Sequence, residues 1–125
     1  MEEIQKKLLA ESESFKLAQK EYQKSLSQRQ QLDAQLNENM VVKTELDLMK
    51  GEGEVFKLIG PVLIKQELEE AKQNVSKRMD YISGELKRID NNIAAMETKV
   101  EGHRERLSKL QTRLQQEQVK AALKE

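Results

Sequence analysis

The sequence predicts a mainly α protein, a long antiparallel two-helix coiled coil joined by a single β-hairpin. Three observations predict it. Charged residues make up 35% of the chain, aromatics 3%, and proline occurs once, the usage of solvent-washed helices rather than of a compact globule. Apolar residues recur at intervals of three and four along two long segments. Between those segments lies one short apolar block, VFKLIGPVLIK, from Val55 to Lys65. A chain of 125 residues has room for one domain. Its expected parts are a helix over 1–50, a hairpin over 54–65, a second helix over 66–121, and an overhanging tail over 115–125.

The first arm runs from about Ile4 to Met49, with Ile4, Leu8, Phe15, Ala18, Tyr22, Leu32, Leu36, Leu46 and Met49 on its seam. Ser25, Arg29 and Asn39 interrupt that seam, so weaker packing is expected there. Lys50 and Gly51 make a C-terminus with a left-handed cap at the glycine. Gly53 then frees the chain to enter the hairpin.

In the apolar block, Val55 to Ile59 and Val62 to Ile64 are rich in β-branched residues, and Gly60-Pro61 between them marks a turn. Side chains alternate across a strand, so Phe56 and Leu58 share one face while Val55 and Ile59 share the other. Val62 and Ile64 are likewise opposed to Leu63. Apolar groups therefore point both ways, whereas a half-solvated hairpin is polar on one face. A lone two-stranded hairpin is marginal in water and leaves both edges open. Its large side chains, Val55, Phe56, Leu58, Ile59, Val62, Leu63 and Ile64, represent roughly 10–20 kcal/mol of gross burial at ~1.5–3 kcal/mol each. Association and ordering cost much of that, and the remainder drives oligomerisation through the hairpin. Lys57 and Lys65 must find solvent or a carboxylate.

The second arm, from about Gln66 to Lys120, is more regular. Val75, Met79, Ile82, Leu86, Ile89, Ile93, Met96, Val100, His103, Leu107, Leu110 and Leu114 alternate strictly by four and three, a strong coiled-coil signal. Glu67, Glu69 and Glu70 suit the positive end of the helix dipole. No Ser, Thr, Asp or Asn caps that start, so the strand runs straight into the helix. Gly84 and Gly102 lie off the seam, each at a cost of about 1 kcal/mol of helix propensity against alanine.

A tight hairpin makes the arms antiparallel, so facing residues have position numbers with a constant sum. The sum that pairs Leu36 with Ile82 also pairs Leu32 with Leu86, Tyr22 with Met96, Phe15 with His103, Leu8 with Leu110 and Ile4 with Leu114. The expectation is a coiled-coil rod of roughly 65–70 Å, at about 1.5 Å per helical residue. Residues 115–125 then have nothing opposite them and project with Val119 and Leu123.

Composition excludes several function classes. Lys+Arg and Asp+Glu both count 22 and are interspersed, so no net field draws in nucleic acid or an anionic membrane. The longest apolar block is far below a membrane span. Cysteine is absent and the Met1-Glu2-Glu3-Ile4 start is unlike a signal peptide, so a soluble, intracellular protein is expected. His103, the only histidine, reads as a polar seam residue facing Phe15 that helps to fix register, not as a metal ligand. Gly51-Glu52-Gly53 follows a helix and precedes a strand, the reverse of a dinucleotide loop, and reads as cap and linker. Charges such as Glu85 with Lys87 and Arg88 form a solvated face, not a paired-carboxylate catalyst, which needs a water-excluding pocket. Met79 and Met96 belong to the core by spacing and Met49 packs, which leaves Met1 and Met40 as adaptable contacts. No enzyme activity, cofactor or metal is expected.

Two long arms around one hairpin carrying GPVLIKQEL, Gly60 to Leu68, resemble the β-class subunits of prefoldin. Val55-Phe56-Lys57-Leu58-Ile59-Gly60-Pro61 at the helix-to-strand junction is most similar to the eukaryotic subunit six type. The resemblance spans essentially the whole chain; the arms are generic coiled coil and the hairpin segment is the specific part. A single hairpin argues against the α-class, which has two. The resemblance implies a heterohexamer of two α-class and four β-class subunits, whose hairpins build a double β-barrel platform bearing six coiled coils. It further implies capture of unfolded chains, actin and tubulin chiefly, and their transfer to the cytosolic chaperonin without ATP. Client contacts are expected near the free ends, where helix pairing frays: Ile4, Leu8 and Leu9 on one arm, and Leu110, Leu114, Val119 and Leu123 on the other. Several arms together add avidity. The alternative is a passive coiled-coil scaffold or tether that joins two partners and holds no client.

Overall fold

A computed structural model describes residues 1–49 and 54–124, so the cap and linker expected at Lys50 to Gly53 lie outside the described residues, as does Glu125. The order is α1 (Glu2–Leu48), β1 (Val55–Ile59), β2 (Val62–Gln66) and α2 (Leu68–Leu123). This is the expected architecture of two long helices joined by one antiparallel hairpin. After α1, the Met49 amide donates to the Leu46 carbonyl at 3.2 Å, tightening the last turn. Glu67 separates β2 from α2, and its carbonyl accepts the Ala71 amide at 2.9 Å, so the backbone supplies the first bond of an uncapped helix. Glu69 and Glu70 occupy the first turn of α2. No helix among the described residues is long and apolar enough to cross a membrane.

The chain forms two compact units, Gln28–Ile89 and Met1–Ser27 with Asp90–Glu125. In the first, β1 and β2 pair antiparallel from Val55↔Gln66 to Ile59↔Val62. Gly60 has φ +56°, the sign that a two-residue hairpin turn demands at its first position, and Pro61 follows with φ fixed negative by its ring. The register places Phe56, Leu58 and Leu63 on one face and Val55, Ile59, Val62 and Ile64 on the other. Below the ribbon, Leu46 from α1 and Ala71 and Val75 from α2 form a buried cluster, against which Met49, Val55, Leu68 and Met79 pack. Further along α2, Ile82, Leu86 and Ile89 are buried at the four-and-three spacing of the seam.

In the second unit the seam continues through buried Ile93 and Val100, with Met96, His103, Leu107, Leu110 and Leu114 half-buried. On α1, Ile4, Ala18 and Ser25 are buried, and Leu8, Phe15 and Tyr22 half-buried. The cross-helix bonds run antiparallel: the Tyr22 hydroxyl donates to Glu97 at 3.0 Å, and the Ser25 hydroxyl donates to Met96 Sδ at 3.4 Å. Met96 thus meets α1 in the turn between Tyr22 and Ser25, within one turn of the expected pairing. Ser25 keeps its place in the seam because the polarizable thioether accepts its hydroxyl.

Candidate functional site on the hairpin and the terminal helices

Of the hairpin residues expected to drive assembly, Phe56, Leu58, Ile59, Val62, Leu63 and Ile64 are exposed on both faces of the ribbon. Leu58 and Leu63, paired across the strands, are 67% and 65% exposed. Val55 differs. It packs against the Leu46–Ala71–Val75 cluster and fastens the ribbon to its own helices. Apolar alternation on both faces gave no sign of which end the helices cover. Lys65 pairs with Glu54 at 3.7 Å on the surface, while Lys57 is exposed to solvent.

The apolar surface does not stop at the strands. Val42 of α1 lines a groove of about 320 Å³ together with Phe56 and Leu58, and Met40 and Val41 beside it are exposed. The signal was present in the sequence as Met40-Val41-Val42, an apolar run that the seam does not use.

The residues expected to contact clients fall into two groups. Ile4 is buried, and Leu8, Leu110 and Leu114 are half-buried in the seam of the terminal unit. Leu9, Val119 and Leu123 are exposed; Val119 and Leu123 lie within α2, which continues to Leu123. The first group can reach another chain only if the helix ends separate, whereas the second is accessible in the folded state.

At the polar point of this unit, the partner of His103 is Glu11, not Phe15. Glu11 Oε1 and His103 Nδ1 form a hydrogen bond, and Arg106 Nε donates to the same oxygen at 3.1 Å. Both Glu11 and His103 are largely covered. The hydrogen bond from His103 holds the Glu11 carboxyl below its usual range, burial opposes that, and Arg106 adds to it. Phe15 lies one turn along and has the Arg104 guanidinium 5.9 Å from its ring centroid. A carboxylate on the adjacent turn of the same helix face can hydrogen-bond the imidazole and a phenyl ring cannot. Counting three from Leu8 and four to Phe15 lands on Glu11, so the seam spacing marks it although its charge hid it.

Along α2, Glu85 and Arg88 form a 2.7 Å ion pair one turn apart, in keeping with a solvated charged face. Among the described residues no group of three His, Cys, Asp or Glu side chains is placed to hold a metal ion.

The family model for prefoldin subunits matches residues 10–121. A mouse protein named prefoldin subunit 6 is 50% identical over 119 residues, which cover 95% of this chain and 94% of that one. The human prefoldin subunit 6 is 50% identical over the same share of this chain and 92% of its own. A probable prefoldin subunit 6 of Drosophila melanogaster is 48% identical, covering 96% and 94%. The fold is shared with the crystal structure of the prefoldin beta subunit from Thermococcus strain KS-1, at a TM-score of 0.76 and 14% identity over 82% of this chain and 90% of that one.

Proposed function

The chain belongs to the prefoldin subunit family, and from that membership we propose that it is a β-class subunit of a cytoplasmic heterohexameric co-chaperone. The exposed hairpin is its assembly element. Phe56, Leu58, Ile59, Val62, Leu63 and Ile64 enter a platform shared with α-class and other β-class subunits, and Val42 extends the contact onto α1. The terminal helices hold unfolded clients, of actin and tubulin type, for transfer to the cytosolic chaperonin without nucleotide. Leu9, Val119 and Leu123 make first contact, and Ile4, Leu8, Leu110 and Leu114 follow as the helix ends fray. Contacts of this kind are shallow and tolerant of sequence, and several arms acting together raise the effective concentration of sites.

The observation that carries this reading is a two-faced apolar ribbon that, beyond Val55, its own helices leave exposed. Such a ribbon is stable only once its faces and edges are occupied. Dilution of denatured actin into the assembled complex, without nucleotide, tests the function. The complex is expected to keep actin soluble, and aggregation at the rate seen in buffer would leave only a tether.

A further inference from the structure

In the terminal unit, α1 and α2 flank a groove of about 500 Å³. Ala10 and Leu110 supply its apolar floor. Lys7 stands on the α1 side, and Lys109 and Arg113 stand four residues apart on the α2 side. None of these three cations has an ion pair or hydrogen bond among the described residues. The one carboxylate in the lining, Glu11, is engaged by His103 and Arg106. Three cations held in no ion pair thus stand around one apolar floor, with Glu3, Glu105 and Glu117 four residues from them along their own helices but not in contact.

We propose that this groove binds an acidic polypeptide segment, with an apolar side chain on Ala10 and Leu110 and flanking carboxylates on Lys7, Lys109 and Arg113. The inference rests on the reading of the terminal helices as the client-holding end, and names the class of client segment they prefer. A nucleic acid fits less well. No aromatic side chain lines the groove for a base to stack on, and three cations on one short stretch do not track a phosphate backbone. Each exposed cation acts weakly alone. Three around one groove act on the same anionic segment, and their attraction is screened over about 8 Å at physiological ionic strength.

The test is fluorescence anisotropy of this chain with a labelled decapeptide of repeated Glu-Glu-Leu. A matched Lys-Lys-Leu peptide and a deoxythymidine decamer serve as comparators. The acidic peptide is expected to bind tightest. Its affinity should fall roughly tenfold on Lys109→Glu with Arg113→Glu, and by a similar factor between low and about 0.3 M salt. The neutralising pair Lys109→Gln with Arg113→Gln guards against loss of helix, which circular dichroism monitors, and should give a smaller loss. Equal binding of the acidic and basic peptides, tighter binding of the decamer, or an affinity unchanged by both variants overturns the proposal. Holding assays on the assembled complex separate this from the broader reading. A wild-type complex that holds no client defeats the holding function. One that holds an acidic client equally well with the rim reversed defeats only the groove.

Discussion

Glu11 and His103 occupy facing seam positions where apolar side chains would ordinarily meet, and Arg106 braces the carboxylate from the next turn of α2. Removing one member leaves the other covered and less well paired, whereas replacing both with apolar residues removes the desolvation cost altogether. Glu11→Gln is therefore expected to lower the melting temperature at neutral pH, and Glu11→Leu with His103→Leu to match or exceed wild type; circular dichroism melts read both. The pH dependence has a definite sign. The folded-state pKa of Glu11 is depressed, so its stabilisation is present above the ordinary value of 4.5 and is lost as pH falls through the folded value. The melting difference between wild type and Glu11→Gln should accordingly shrink below about pH 4.5. At Gly84 an added Cβ meets nothing within 4 Å, so Gly84→Ala should raise stability by about 0.5–1 kcal/mol through helix propensity alone, checked by urea titration. Nothing in the structure explains the glycine there.

At the scale of the elements, each helix buries one stripe, and α2 carries the more regular one. Ile82 is 6% exposed on that stripe, and Ile82→Ala should cost about 2–4 kcal/mol in chemical denaturation. The second arm was legible almost residue by residue, because an unbroken four-and-three spacing has a single helical reading. The turn was equally legible, since Gly60-Pro61 admits few backbone geometries and the positive φ falls on the glycine. Two features were not. Ser25 reads as an interruption and Glu11 goes unmarked by its charge, yet both occupy the seam with partners on the other helix. Their partners lie far away in sequence, beyond the reach of a local pattern. Val55 read as one more exposed strand residue, and the cluster that covers it draws on Leu46, Ala71 and Val75 from two different helices. The rim of Lys7, Lys109 and Arg113 was hidden for the same reason, as its members come together only when the arms pair.

For the whole molecule, family membership and the fold agree on a chain incomplete by itself. Its hairpin keeps six large apolar side chains exposed, which assembly with other subunits would cover. The proposed client contacts lie on residues other than those of the hairpin, so truncation should divide the two proposed roles. Deleting residues 115–125 is expected to leave assembly intact and to weaken suppression of actin aggregation severalfold, because the exposed Val119 and Leu123 side chains are removed with the tail. Assembly itself is decided most directly by native mass spectrometry of the chain mixed with its partner subunits, comparing wild type with Phe56→Ser and Ile59→Ser combined. Wild type is expected to enter a hexamer while the variant stays monomeric with its helices formed, as assembly through the hairpin requires. A variant that enters the same hexamer would contradict it.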